Sequence, residues 1–162
     1  MKYLIKERIF TLSDKFNIED ENGNSIYQVE GKIFSVGNKL RIYELNGKEL
    51  IYIEQKILRF LPEYNIYGEG SHLAMVKKEF TFFKPKFSIE SSHGKFTIDG
   101  DVFQHNFDVL KNNKPVAWVN KKWGTFSDTY CVEIMDEQDQ PFILALVIVM
   151  DQIFHDGQKN NA

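Results

Sequence analysis

Apolar and polar residues alternate in short runs over most of the chain, the period-two pattern of half-buried strands, as in Phe16 and Ile18 or Leu40 and Ile42. Between the runs stand Glu21-Asn22-Gly23-Asn24, Asn46-Gly47, Ser92-His93-Gly94 and Asn112-Asn113. Asn and Gly accept the positive φ that tight hairpins require. The pattern predicts six strands in each half: near 3–12, 15–20, 25–34, 39–45, 49–58 and 63–67, then 72–81, 86–91, 95–99, 104–110, 115–122 and 128–135.

The alternation breaks once. Residues 142–150 (FILALVIVM) are apolar at every position, so a helix here has no polar face and must be surrounded by protein. Asp139 or Gln140 can cap it, Pro141 stands in its first turn, where a missing N–H is harmless, and Gly157 can close it. The β-branched Val147, Ile148 and Val149 would also suit a last buried strand, but about 16 residues between the end signals exceed a strand of five or six. Nine helical residues rise about 14 Å, roughly half a hydrocarbon core, and Asp151 follows, so the run does not span a bilayer.

The two halves also match each other. Residues 4–23 align without a gap on 75–94, with identities at Lys6/Lys77, Lys15/Lys86, Phe16/Phe87, Ile18/Ile89, Glu19/Glu90 and Gly23/Gly94. The match continues through Gly31–Phe34 with Gly100–Phe103, Leu40–Tyr43 with Phe107–Leu110, and Leu50–Lys56 with Val116–Lys122. β-rich segments resemble one another by chance, yet an ordered series over most of each half favours duplication. The expectation is a single mainly β domain over 1–162, duplicated about 1–71 and 72–135, with a core helix at about 140–156. Twelve strands and one apolar helix fit a closed β-barrel whose lumen the helix fills, and closure removes the exposed strand edges.

Composition narrows the function classes. At 162 residues with 43% hydrophobic and 27% charged positions, the chain is sized and balanced for one folded domain. A net charge of −3 and a pI near 5.8 provide no global field for nucleic acid. Cys131 alone makes neither an internal disulfide nor a multi-cysteine zinc site, and the N-terminus reaches charges too early for a signal peptide. The expected location is the cytoplasm, with peripheral membrane contact as an extension.

Ser25–Gly37 (SIYQVEGKIFSVG), Leu50–Lys56 (LIYIEQK) and Trp123–Ile134 (WGTFSDTYCVEI), followed by the apolar helix, resemble the LURP-one-related proteins. These belong to the tubby C-terminal-like superfamily, which includes the phospholipid scramblases. The resemblance covers nearly the whole chain and rests on the order of the pieces more than on any one motif. It implies a twelve-stranded barrel around a central C-terminal helix. Tubby-like domains bind phosphoinositides, and scramblases are linked to calcium and lipid. A shared fold carries such activities only by analogy.

Candidate chemistry is sparse. There is no GxSxG, GxxxxGK[ST], HExxH or helix-opening GxGxxG. His72, His93, His105 and His155 have no ligand spacing; His155 and Asp151 share a helix face, but two ligands do not make a zinc site, and polar satisfaction at the barrel mouth is the simpler account. Cys131 reads as an inert thiol. In scramblases an acidic stretch before the terminal helix is the proposed calcium site, and Asp128 falls at the matching place. Thr129-Tyr-Cys-Val then lacks the oxygens that calcium's six to eight ligand positions need, so no metal and no cofactor are expected.

The suggestive stretch is Lys77–Lys86 (KKEFTFFKPK). If Lys77, Lys78, Lys84 and Lys86 share a face, they form a tentative site for anionic lipid, each worth about 1 kcal/mol. Against this, the repeat puts Ile9 and Leu12 at the positions of Phe80 and Phe83, which predicts a strand with phenylalanines inward and lysines in solvent. The expected protein is a non-enzymatic binding or scaffold module with an anionic membrane lipid or a protein as partner. The alternatives are a scramblase-like lipid-handling protein and an enzyme with a surface site.

Overall fold

The turn signals divide the chain where the alternation suggests. The computed structural model describes residues 1–6, 15–32, 37–121 and 129–160, the last five by backbone alone. The described strands are β1 (Lys2–Lys6), β2 (Lys15–Asp20), β3 (Ser25–Lys32), β4 (Lys39–Glu44), β5 (Glu49–Gln55), β6 (Glu63–Gly68), β7 (Ser71–Glu79), β8 (Lys86–Ser91), β9 (Phe96–Asp101), β10 (Asn106–Lys111), β11 (Lys114–Lys121) and β12 (Thr129–Ile134). A 3-10 turn, Val102–Gln104, links β9 to β10, and α1 (Gln140–Asn160) ends the chain.

All twelve strands form one antiparallel sheet in the order β8-β7-β6-β5-β4-β3-β2-β1-β12-β11-β10-β9. The first and last strands meet, Tyr3 opposite Val132 and Ile5 opposite Tyr130, and the sheet curls into a nearly closed barrel whose ladder ends at β8 and β9. Register follows the alternation: Leu40 faces Ile53 and Ile42 faces Ile51, and all four are buried. A one-residue slip would turn that set to solvent. Phe16 and Phe87, equivalent in the repeat, both pack against the core, and Gly23 and Gly94 both have positive φ.

The helix fills the barrel. From Phe142 to Met150 no residue is more than 1% exposed, as a run without a polar face requires. Asp139 is the cap, its Oδ1 accepting from the Phe142 N–H at 3.2 Å. At that end the Phe142 ring meets Phe96 and His93 edge-on at 5.4 and 5.1 Å.

Of the boundaries that differ from the sequence pattern, three bear on the surface and the core. β5 stops at Gln55 instead of near 58, because Leu58 takes a φ of +58° that no strand accommodates. β7 stops at Glu79 instead of near 81, and Phe80–Pro85 becomes a loop ahead of a proline that cannot donate to a ladder. α1 passes through Gly157 to Asn160, since a glycine weakens a helix by only about 1 kcal/mol without stopping it. Residues 7–14, 33–36 and 122–128 lie outside the described residues, and with them the Ile9 and Leu12 of the repeat and the weak metal candidate Asp128.

Candidate functional site

Antiparallel order gives the barrel two unlike ends. The connections β2–β3, β4–β5, β6–β7, β8–β9 and β10–β11 lie at the end where α1 enters, and β5–β6, β7–β8 and β9–β10 lie at the end toward which it leaves. These are the turn end and the loop end.

Beneath the loop end the lumen closes with polar side chains from α1. His105, at φ +49° after the 3-10 turn, sets Nε2 2.8 Å from Asp151 Oδ1, and both side chains are buried. His155 Nε2 lies 3.6 Å from the same oxygen, and the His105 ring stacks on Tyr130 at 4.5 Å. Asn38 Nδ2 donates to Gln152 Oε1 at 3.0 Å and to Tyr64 Oη at 3.2 Å. Sequence spacing paired His155 with Asp151, but His105 stands 46 residues away and only the barrel brings it in. The cluster meets the polar-satisfaction account only in part: His105, Asp151 and Asn38 have partners where an apolar helix turns polar, while Gln152 Nε2 and His155 Nε2 are buried without a hydrogen bond among the described residues. Among the described residues no group of three His, Cys, Asp or Glu could hold a metal ion. Cys131, on β12, is half-buried and forms no disulfide.

The four lysines of the sequence candidate stand toward the loop end, at the end of β7, in the β7–β8 loop and at the start of β8, in unequal roles. Lys77 Nζ lies 3.7 Å from Oε1 of Glu63, a buried carboxylate that Arg59 Nε also approaches, at 3.5 Å. Lys77 is thus partly spent in neutralising Glu63. Lys78 Nζ lies 5.7 Å from the centre of the Phe103 ring, within cation–π range. Lys84 and Lys86 are exposed and have no ion-pair partner among the described residues.

The phenylalanines between them correct the expectation of an inward-facing strand. Phe80, Phe82 and Phe83 are 66%, 85% and 98% exposed. The repeat misleads here because the chain leaves β7 at Glu79, so its later alternation no longer faces the lumen. On the neighbouring β5–β6 loop, Ile57, Leu58 and Phe60 are exposed to 50%, 97% and 93%. The loops are tied at their bases by the Lys78 N–H donating to Pro62 O at 3.0 Å.

A second basic feature escaped the sequence reading. Lys15, Lys32, Lys39 and Arg41, with Glu30 and Gly31, line a shallow cleft of about 220 Å³ on the outside of β2–β4 near the loop end. Two pairs tie it down, Lys15 to Glu30 at 3.0 Å and Arg41 to Glu49 at 2.8 Å. No run of basic residues announces it, because its members come from three strands and converge only by sheet register.

The fold defines a class: a β-barrel cored by its own C-terminal helix. The chain belongs to the LURP-one-related family, whose model matches residues 1–151. It is 33% identical over 161 residues to the uncharacterized protein YxjI of Bacillus subtilis (strain 168), covering 99% of this chain and 98% of that one. A protein of Arabidopsis thaliana solved by X-ray crystallography has the same fold, with a TM-score of 0.70 over 94% of this chain and 90% of its own, at 20% identity.

Proposed function

We propose that this protein is a non-enzymatic binding module that associates peripherally with anionic phospholipid membranes through the loop end of its barrel. What carries the proposal is the distribution of charge along the barrel axis. The two loops, taken as residues 56–63 and 77–86, hold six basic against two acidic side chains, in a chain whose net charge is −3. The connections at the turn end, residues 19–25, 44–49, 68–71, 90–96, 111–114 and 135–139, hold ten acidic against four basic. An anionic surface therefore attracts one end and repels the other, although the whole molecule is weakly negative. The basic cleft on β2–β4 lies toward the attracted end. Among the described residues the lumen is occupied by α1, which supports a module acting through its surface. Among the described residues no helix is long and apolar enough to cross a membrane, consistent with contact from one side.

Co-sedimentation with vesicles of phosphatidylcholine alone or mixed with phosphatidylserine, at low and high salt, tests the proposal. The expected result is binding to the anionic vesicles only, weakened by salt as the Debye length shrinks. Lys84→Ser with Lys86→Ser should weaken it by about 2 kcal/mol, roughly thirty-fold, without lowering thermal stability, because both side chains are exposed. Equal binding to neutral vesicles, or none to anionic ones, would refute it.

A further inference from the structure

We infer that the two apolar loop tips, residues 57–60 and 80–83, insert into the hydrocarbon of the bilayer, so that the barrel stands end-on with its acidic turn end pointing away. The inference rests on the membrane proposal above and commits it to a bilayer: neither a soluble polyanion nor a headgroup alone would engage these side chains.

Exposure is the first ground. Of the nine large apolar side chains exposed among the described residues, six stand on these two adjacent loops. Scattered apolar side chains on a surface need no explanation, but a contiguous patch rimmed by polar groups marks an interaction site.

The second ground is that the tips have nowhere else to go. The lumen behind them is occupied by α1 and closed by Asp151, Gln152, His105 and Asn38, all buried. Leu58 is held at φ +58°, in the left-handed region that a side chain rarely adopts, and that conformation leaves it almost wholly in solvent.

Third, the loops are preorganised as one unit. Thr81 Oγ1 donates to Lys84 O at 2.6 Å, Phe80 and Phe82 meet edge to face at 5.2 Å, and Glu63 joins Arg59 of one loop to Lys77 of the neighbouring strand. Ordering losses on binding are correspondingly small.

Charge selects the occupant. Lys56, Lys84 and Lys86 flank the tips, and Arg59 within the first tip turns back toward Glu63 at 3.5 Å, so basic heads lie beside phosphate when the rings reach past it, the arrangement of interfacial anchors. Two copies meeting tip to tip would oppose six basic side chains against six, which disfavours a second copy as the occupant.

The test uses full-length protein and vesicles of phosphatidylcholine and phosphatidylserine whose acyl chains carry bromine. Phe82→Trp should acquire fluorescence that those vesicles quench and unbrominated ones do not, over the background of the parent protein. Leu58→Ser with Phe60→Ser, and Phe82→Ser with Phe83→Ser, should each lower vesicle affinity at least about ten-fold and leave a residual, salt-sensitive binding, because large exposed apolar area is lost while the lysines remain. Their melting temperatures should stay within a few degrees of the parent. Binding to anionic vesicles with neither quenching nor loss of affinity in the serine variants would overturn insertion and leave the membrane proposal standing. No binding by the parent protein would overturn both. A lipid-free dimer that Phe82→Ser with Phe83→Ser dissolves, with no quenching on vesicles, would assign the tips to a second copy and overturn the inference.

Discussion

At Leu146 and Asp151, five positions apart on α1, the barrel interior demands opposite chemistry. Leu146 is wholly buried among apolar neighbours, so Leu146→Asp leaves a carboxylate without a partner, at a cost of several kcal/mol against a typical total of about 5–15. The variant should yield no cooperative thermal transition by circular dichroism. Asp151 is equally buried but has His105 at 2.8 Å and His155 at 3.6 Å. Asp151→Ala removes the acceptor His105 faces and should destabilise by about 1–3 kcal/mol, measured by urea denaturation. A smaller loss would mean that water enters the mouth to replace the carboxylate. The sequence made Leu146 legible as core, because the apolar run leaves no other place for it. It made Asp151 legible only as the end of that run, since the residue that decides its environment, His105, is brought from a distant loop.

Among the elements, α1 and the β9–β10 junction carry the sharpest expectations. Deleting the chain from Pro141 empties the barrel, so the strands should not remain folded; a soluble truncation with a melt near that of the full chain would show that the helix is not the core. At the junction, Gly100 has φ +120°, and a Cβ there would stand 2.6 Å from the Asn106 carbonyl oxygen. Gly23, at φ +83° in the β2–β3 turn, has open space around it. Gly100→Ala should therefore cost clearly more than the roughly 1 kcal/mol expected of Gly23→Ala, compared by chemical denaturation. Strand number and order of elements were readable from alternation and turn residues. The ends of β5 and β7 were not: Ile57, Leu58 and Phe80 continue an apolar pattern that a strand would also produce, and only the backbone shows that they have left the ladder.

At the scale of the whole molecule, the proposed function rests on the difference between two barrel ends. Net charge and composition argue against lipid attraction; the separation of basic loops from acidic turns argues for it. If both the lysines and the apolar tips take part, raising salt should remove only part of the affinity for anionic vesicles, and the salt-resistant remainder should vanish when Phe82 and Phe83 are replaced by serine.

What the sequence determined by itself is the class of fold: period-two alternation and Asn/Gly turns require strands, and a helix with no polar face must be enclosed, so a barrel around α1 follows from local patterns and the cost of exposing apolar surface. What only the tertiary structure decided is which residues share a surface. Lys77, Lys78, Lys84 and Lys86 are neighbours in sequence, yet the fold assigns Lys77 to Glu63 and leaves Lys84 and Lys86 exposed. Leu58 and Phe60 join Phe82 and Phe83 at one mouth because β5–β6 and β7–β8 turn at the same end of an antiparallel sheet. Burial is dictated by local periodicity, whereas a site is a convergence of side chains from separate strands, and that is set by register and closure.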